Sequence, residues 1–396
     1  MIITIAQSGR QQRQQDTKLG MLYLDVDLQK NWQLQMLRTL LLKRILILFL
    51  LLATRLVVAN ENQVFTGKLI SVNLAKSEIV IENDKQQQSI IAVARSTRII
   101  HGDQKVTLIT LCPEQQIAVS IDSSIPAVDK IRILGDRKLP PKLLYPTSEL
   151  VTVIRGDLPI IISAPHGGRE AIPGVPKRNN ESTPKFAIKS DTNTYQLAST
   201  ITEQLEKKLN GKPWLIAAKF HRSYLDANRS LENALEHDKA KAVYTAYHQA
   251  LQHAILEITC QYKTGLLIDV HGQSRLPDVV WRGTRRGTTL GGLVDDFGWD
   301  VVEGKDSLMH TFNLLDYATH PQGMDASEGP FGGGFITATY GYPYGLNAIQ
   351  LEFGYSFRAN KEIYLKTAID TAEAIKRFHQ RYLTKKLDCE PDAINR

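Results

Sequence analysis

The feature that most constrains the fold is an alternation of short apolar runs with amphipathic helical segments after about residue 150. The apolar runs are LPIIISAPH (158–166), WLIAAKF (214–220), GLLIDVHG (265–272) and NAIQLEFG (347–354). Nearly continuous hydrophobicity of this kind is typical of strands that helices cover on both faces. The intervening segments 190–209, 231–262 and 360–385 have helical character. The sequence therefore predicts an α/β fold with a mainly parallel sheet.

Residues 60–137 have a different rhythm. Short stretches of alternating apolar residues are separated by Gly, Asn-Asp and Ser. This pattern predicts a small all-β domain, either an antiparallel barrel or a sandwich. The Pro-rich residues 138–150 then predict a linker, followed by a second domain over 151–385 and a tail at 386–396.

The first 59 residues have the organisation of a leader. From Met36 onward, basic residues precede an apolar stretch that is short for a membrane span. Val57 and Ala59 suit the small-residue positions before a cleavage site. We therefore predict a signal peptide at 36–59, with translation starting at Met36. The protein would be exported to the periplasm or secreted, touching the membrane only through this leader.

The net charge of +7 is unevenly distributed. Residues 1–59 contain eight Lys and Arg against three Asp, so most of the excess lies in the leader. A nearly neutral folded part gives no electrostatic reason to expect a nucleic-acid partner. The three cysteines have no CxxC or CxxH spacing, which makes them poor candidates for metal ligands.

Polar side chains occur where the predicted strands end. His166 follows the first strand, His271 ends the third, Asp191 opens the first helical segment and Glu352 lies within the fourth strand. Ligands of open α/β sheets bind at the carboxyl ends of the strands. Two histidines and one carboxylate are a common ligand set for catalytic zinc. Glu352 would then act as the base that takes a proton from water.

Each of these residues also has a structural interpretation. A histidine after an apolar strand is often a hydrogen-bonding or capping residue, and Asp191 could be a helix N-cap. Glu352 is harder to explain structurally, because a carboxylate within an apolar strand needs a partner.

Basic residues follow the second strand in RSYLDANR (222–229). Arg222 and Arg229 flank Asp226, which could aim a guanidinium into the site, where its planar fork suits a carboxylate. The alternative is an ordinary surface ion pair between Arg229 and Asp226. The Gly- and Arg-rich segment 281–292 is predicted to be a mobile loop that either covers the site or is solvated.

Six motifs together resemble the N-formylglutamate amidohydrolase family, whose relatives are the zinc carboxypeptidases. They span about residues 160–360 and occur in the family's order. They are APHGG (164–168), SDTNT (190–194), RSYLDANR (222–229), YTAYHQAL (244–251), LIDVHG (267–272) and QLEFGY (350–355). The resemblance implies a three-layer α/β/α phosphorylase/hydrolase-like, carboxypeptidase-like domain that binds Zn²⁺ and hydrolyses an amide C–N bond.

The resemblance also assigns roles to residues. His166 and His271 would bind the metal, Glu352 would be the general base, and the Asn228-Arg229 pair would hold a substrate carboxylate. Zinc carboxypeptidases have the pattern His-x-x-Glu, in which the glutamate stands three positions after the histidine, whereas Glu170 stands four positions after His166. Asp191 is therefore the favoured third ligand, and Glu170 is the alternative.

The predicted function is an exported zinc amidohydrolase acting on an N-acyl amino acid or a peptide-like, anionic substrate. Two other functions are compatible with the sequence. One is a non-catalytic binding module of the cell envelope on a hydrolase scaffold, and the other is a zinc esterase or deacetylase.

Overall fold

A computed structural model describes residues 63–111, 113–121, 128–135, 148–323 and 326–386. All of them belong to one compact unit, residues 62–396. The predicted leader, most of the predicted linker and nearly all of the predicted tail lie outside the described residues. Within the described ranges, every helix is too short or too polar to span a membrane.

The first sheet is formed by the region that the sequence predicted to be rich in strands. Its order is β3-β2-β1-β6-β7-β4-β5, and all neighbours are antiparallel except β4 and β7, which are parallel. Its strands are β1 (Gln63–Asn73), β2 (Glu78–Glu82), β3 (Gln88–Ala92), β4 (Arg98–His101), β5 (Gln104–Val106), β6 (Gln116–Ile121) and β7 (Val128–Leu134). Alternation along β2 buries Ile79 and Ile81 in a core of its own. The separate-domain boundary stays a prediction, because both sheets belong to the same compact unit.

The second sheet has the order β13-β12-β14-β11-β9-β10-β8. Its four central strands are parallel, whereas β8 and β12 pair antiparallel with their neighbours β10 and β14. The strands are β8 (Val151–Ile154), β9 (Ile160–Ala164), β10 (Trp214–Ala218), β11 (Leu266–Gln273), β12 (Val279–Gly283), β13 (Ala318–His320) and β14 (Asn347–Gly354). The four predicted strands are its centre, and the outer strands β8, β12 and β13 were not predicted.

Helices cover both faces of this sheet, which makes the fold α/β. They are α1 (Thr194–Leu209), α2 (Leu231–Ala234), α3 (Lys241–Gln261), α4 (Gly291–Phe297), α5 (Asp300–Glu303), α6 (Leu308–Leu314), α7 (Phe335–Tyr340) and α8 (Lys361–Tyr382). Single-turn 3₁₀ helices occur at Leu108–Thr110, Asp238–Ala240, Thr288–Leu290, Gly329–Phe331 and Tyr355–Phe357. Along β9, Ile160 and Ile162 pack in the core with α1 and α8, while Ile161 packs in the core with α3. This alternation explains why the strand is apolar throughout.

Two predicted helices have different bounds in the structure. The helix expected from residue 190 begins at Thr194, because Asp191 and Asn193 make contacts outside it. The stretch expected as one helix over 231–262 is interrupted, and the long helix α3 starts only at Lys241. The last helix is close to its prediction, with Asn360 as N-cap accepting from the Ile363 amide.

The two sheets are joined by backbone hydrogen bonds. The amides of Leu108 and Ile109 donate to the carbonyls of Pro343 and Tyr344 at 3.0 and 2.8 Å. The Ile109 side chain packs in the core beneath α3, on the second sheet. The first sheet is therefore attached directly to the α/β layers.

Helix α8 offers a matched test of this packing. Ile375 is fully buried in the core shared with α1, whereas Ile369 on the same helix is 45% exposed. We expect Ile375→Ala to lower the free energy of unfolding by ~2–5 kcal/mol, since a buried side chain is replaced by a cavity. Ile369→Ala should change it by no more than ~0.5 kcal/mol. Chemical denaturation monitored by circular dichroism measures both, and equal losses would contradict the assignment of the buried face.

Candidate metal centre and active-site cleft

Three side chains from separate parts of the chain meet at one edge of the second sheet. His166 follows β9, His271 lies in β11, and Asp191 lies in the loop before α1. The two imidazole rings are 4.8 Å apart between centroids. One ligand atom of each residue lies within 4.8 Å of the other two, which forms a buried group able to hold a metal ion. The structure thus brings together the three residues that the sequence proposed as ligands.

The two glycines after His166 permit a close backbone approach. A Cβ atom on Gly167 would overlap the amide nitrogen of Tyr195, and one on Gly168 would overlap the backbone of Lys219. Any larger side chain would push this turn away from α1 and from the end of β10.

Asp191 lies between the two histidines. Its Oδ2 atom is 3.4 Å from His166 Nδ1 and 3.3 Å from His271 Nδ1, and it accepts from the Gly272 amide at 3.0 Å. The N-cap of α1 is Asn193, so the interpretation of Asp191 as a helix cap is wrong. Its carboxylate is held in the cluster instead.

Both histidines present the same nitrogen to this centre. His166 Nε2 is 2.7 Å from Asp226 Oδ1, and His271 Nε2 is 3.0 Å from Asp269 Oδ2. A carboxylate opposite Nε2 favours the proton on that nitrogen and leaves the Nδ1 lone pair free. The Asn228 amide is also 3.3 Å from His271 Nε2, but the carboxylate is nearer and charged. Each Nδ1 is therefore available to a cation.

This arrangement fits a metal ion. His166 Nδ1 is buried and has no hydrogen-bond partner in the described structure, although it faces Asp191. Zinc bonds of ~2.0–2.2 Å in a tetrahedral site place neighbouring ligand atoms ~3.3–3.6 Å apart. The two distances from Asp191 Oδ2 to the histidines fall in or at the edge of this range. Carboxylates behind both imidazoles complete the arrangement usual for histidine ligands.

The charges around the centre also favour a cation. Asp191, Asp226 and Asp269 are all buried or nearly so, and Arg222 is the guanidinium that binds this group most closely, through Asp226 Oδ2 at 2.8 Å. Burial alone would raise the pKa of Asp226, but His166 and Arg222 outweigh it and hold that pKa well below its usual range. Burial likewise lowers the pKa of His271, but Asp269 and Asp191 raise it well above normal. The raised pKa of His271 indicates that the buried carboxylates stabilise a positive charge at this place, either a proton on the imidazole or a bound cation.

Glu170, the alternative third ligand, is not part of this cluster. Its side chain is exposed, and its backbone forms a bridge to the strand end, accepting from the His221 amide at 2.7 Å. Among the described residues, the group able to hold a metal consists of His166, Asp191 and His271. The geometry therefore favours Asp191 over Glu170.

Glu352 lies beside the cluster on the neighbouring strand. Residues His271 and Glu352 are paired in the parallel register of β11 and β14, so their side chains leave the same face. Glu352 is 6% exposed and accepts a hydrogen bond from Gln350 Nε2 at 2.9 Å. Burial raises the pKa of Glu352 to about 7, and nearby Asp191 and Asp269 contribute to the rise. A carboxyl group with such a pKa suits proton transfer near neutrality.

The predicted substrate-binding residues line the same cleft. Arg222 is fixed by Asp226, and its Nη1 atom lies 4.0 Å from Asp191 Oδ1. Arg229 donates to the carbonyls of Asn228 and Lys185, both at 2.7 Å, so its fork is already engaged. The contact between Arg229 and Asp226 is also not a simple surface ion pair, because Asp226 is fully buried and the guanidinium nearest to it is that of Arg222.

Asn228 makes structural contacts within the site. Its Oδ1 atom accepts from the Ile336 amide at 2.8 Å, and it is 4% exposed. The side chain connects α7 to His271. Its direct contact with a substrate stays a prediction.

The cleft has a volume of about 1690 Å³. Eight of its lining residues are Lys or Arg and three are Asp or Glu. The segment predicted to be a mobile loop, 281–292, is instead anchored. Its first residues belong to β12, and Arg282 is 2% exposed beside Glu328 and Glu303.

Sequence reasoning missed Asp269 and saw Asp226 only as a partner of arginine. A signal for Asp269 was present, since residues two apart on a strand share a face. Asp269 and His271 have this spacing, as do Gln350 and Glu352. Asp269 is itself fixed by Ser163, whose hydroxyl donates to Oδ1 at 2.9 Å. Nothing in the sequence indicated that His166 and Asp226, which are 60 positions apart, would meet.

Fold and site together define an α/β protein with a candidate metal centre. No protein-family model and no curated protein matches the sequence. Among solved structures, the chain is similar to N-formylglutamate amidohydrolase from Ralstonia eutropha JMP134, with 18% identity over 59% of this chain and 98% of that chain and a TM-score of 0.42.

Two further solved structures are similar at the same distant level. A gene product of Agrobacterium tumefaciens has 12% identity over 57% of this chain and 93% of that chain, with a TM-score of 0.38. YNDL in a zinc-free apo form has 14% identity over 60% of this chain and 92% of that chain, with a TM-score of 0.27. Similarity at this level assigns neither a family nor an activity, so the function has to be argued from the site.

Proposed function

We propose that the protein is a zinc-dependent hydrolase that cleaves an amide C–N bond in an N-acyl amino acid or a peptide-like substrate carrying a carboxylate. Its ligands would be His166, Asp191 and His271, and its general base Glu352. The leader predicted at residues 36–59 would make it an exported enzyme. Nothing in its charge distribution calls for a nucleic-acid partner.

One observation carries this proposal. Both histidines turn Nδ1 toward Asp191 Oδ2 while their Nε2 atoms face buried carboxylates. A purely structural pair of buried histidines would not need two carboxylates behind it and a third one between. Three protein ligands leave a fourth position open, which is the usual composition of a catalytic zinc site.

The residues of the site would have separate roles in the reaction. When bound, zinc supplies the Lewis acidity that activates water and polarises an amide carbonyl. Glu352, buried on the adjacent strand, would accept the proton of the attacking water and return it to the leaving nitrogen. Arg222, fixed by Asp226, would orient the anionic substrate, and the cationic cleft would attract it.

The carboxylates behind the histidines give a quantitative prediction for metal binding. Asp269→Asn should weaken zinc binding ~10–100-fold, since it removes the charge that makes His271 a strong ligand. The exposed Asp278, which follows the same strand, provides a control, and Asp278→Asn should leave zinc affinity unchanged. Competition against a chromophoric chelator measures both. Equal affinities in the two variants would show that Asp269 does not support a ligand.

The function itself is tested with a substrate screen. N-acetyl amino acids and short peptides are incubated with the zinc-supplied protein, then after chelation, then after zinc is returned. We expect amide hydrolysis that disappears with the metal and recovers with it. Ester analogues run in parallel identify an esterase, and stoichiometric zinc without turnover of any compound would contradict the proposal.

A further inference from the structure

The first sheet contributes to the wall of the cleft that contains the metal centre. The turn after β1 supplies Leu74, Ala75 and Ser77, and the segment after β3 supplies Arg95. A cleft of about 1690 Å³ exceeds the ~300–1,000 Å³ typical of pockets for single small molecules. Its size and its composite wall indicate a substrate that extends beyond the bond to be cleaved.

Arg95 is held in place at this part of the cleft. Its guanidinium donates to the carbonyl of Tyr342 at 2.7 Å and to that of Ala338, and it lies 4.9 Å from the centre of the Tyr344 ring. These contacts fix its position but supply no negative charge. Among the residues that the structure describes, no carboxylate forms an ion pair with Arg95.

Arg285 is the second cation at this place. Its side chain is exposed and lines the cleft, and its backbone has a φ angle of 48°. The left-handed conformation is costly for arginine and persists where surrounding contacts impose it. Here, Arg285 donates its amide to the Gly332 carbonyl at 2.8 Å, and Glu328 accepts from the amides of Thr284 and Arg286.

Both arginines lie against the start of α7: the Arg95 guanidinium donates to the Ala338 carbonyl, while the Arg285 side chain packs beside Gly333, close to Thr337. Burial is the main cause that lowers the pKa of Arg95, and the charge of Arg285 lowers it further. Arg285 likewise forms no ion pair with a carboxylate in the described ranges. Two neighbouring guanidiniums repel each other, and an anion placed between them would remove that cost. Neither arginine hydrogen-bonds to His166, Asp191 or His271.

We infer that Arg95 and Arg285 form a second anion subsite, separate from the metal centre, which binds an oxyanion group on a distal part of an extended substrate. Arg95 is the fixed member and Arg285 the exposed one. The first sheet therefore takes part in substrate selection. This inference rests on the proposed function for the identity of the ligand as substrate, but the pair of cations stands independently of the reaction.

The test measures binding rather than turnover. The zinc-supplied protein is titrated calorimetrically with N-acetyl-triglutamate, N-acetylglutamate and inorganic phosphate, at a temperature where hydrolysis is negligible over the titration. Arg285→Gln should weaken triglutamate binding ~10-fold, the equivalent of one charge-assisted hydrogen bond. Its effect on N-acetylglutamate, which reaches only one anion site, should be small.

Arg286→Gln is the matched control. Arg286 is the next residue, is exposed, and also has a left-handed backbone with a φ angle of 57°, yet it does not line the cleft. Arg286→Gln should therefore bind triglutamate as the wild type does. Arg95→Gln should weaken triglutamate binding as much as Arg285→Gln does. Thermal melting of this variant is recorded as well, because the substitution also removes the hydrogen bonds to the Tyr342 and Ala338 carbonyls.

The possible outcomes separate this inference from the proposed function. Equal affinities for triglutamate in Arg285→Gln and Arg286→Gln would overturn the subsite, even if the enzyme hydrolyses amides. If inorganic phosphate binds as tightly as triglutamate and Arg285→Gln weakens both by the same factor, the arginine pair is a site for a free ion. That result would also overturn the substrate subsite. A selective loss for triglutamate would support the subsite, even if the hydrolysis screen were negative.

Discussion

The Asp191→Asn variant is expected to lose stoichiometric zinc and all metal-dependent amide hydrolysis while remaining folded. Asparagine keeps an oxygen for the Gly272 amide but presents a neutral, weaker ligand between His166 and His271. The loss of zinc affinity should exceed the ~100-fold that changes behind a ligand cause. Metal analysis after dialysis, with circular dichroism to verify folding, gives the result directly.

Glu170→Gln is the appropriate control for this experiment. It makes the same change of charge close in sequence to His166, but at an exposed side chain outside the cluster. We expect it to retain zinc and activity. The reverse pattern, with zinc kept in Asp191→Asn and lost in Glu170→Gln, would transfer the third ligand to Glu170 and refute the geometry described above.

Glu352→Gln is expected to retain zinc but to lower kcat ~10²–10⁴-fold, the usual contribution of a general base. Glutamine has the same shape and can still accept the hydrogen bond from Gln350, so the fold and the metal ligands should be unaffected. Metal content and steady-state kinetics are measured on the same preparation. A low kcat with full zinc separates loss of the base from loss of the metal.

Glu181→Gln controls for the charge of the cleft. Glu181 lines the same cleft with an exposed carboxylate but is not part of the metal cluster. It should leave kcat close to that of the wild type. If Glu352→Gln also remained near wild-type activity, another group would have to accept the proton and the assigned role of Glu352 would be wrong.

If the subsite at Arg95 and Arg285 exists, the two parts of the chain have separate tasks. The second sheet holds the groups that would carry out the chemistry, whereas the first sheet adds a wall and a cation to the cleft. Specificity could then change through residues of the first sheet without disturbing His166 or His271. The predicted exported location would suit an enzyme that acts on extended acidic material.

Much of the fold was visible in local patterns. The apolar runs at β9, β10, β11 and β14 were predicted as central strands because burial on both faces removes the usual alternation. The outer strands β12 and β13 have weaker patterns, and in the interruption before α3 the Glu236 carboxylate accepts from the amides of Asn179 and Asn180. Such contacts act between distant segments and leave little trace in a local window.

By itself, the sequence determined the α/β order of elements and the position of His166, His271 and Glu352 at or near strand ends, because hydrophobic period and strand direction are local properties of the chain. Only the tertiary structure decided which acid completes the cluster, which nitrogen of each imidazole faces it, and that Arg95 and Arg285 line the same cleft. Most of those outcomes depend on distances between residues that are 25 to 190 positions apart in the chain. Packing and electrostatics fix such distances only when the whole fold is assembled.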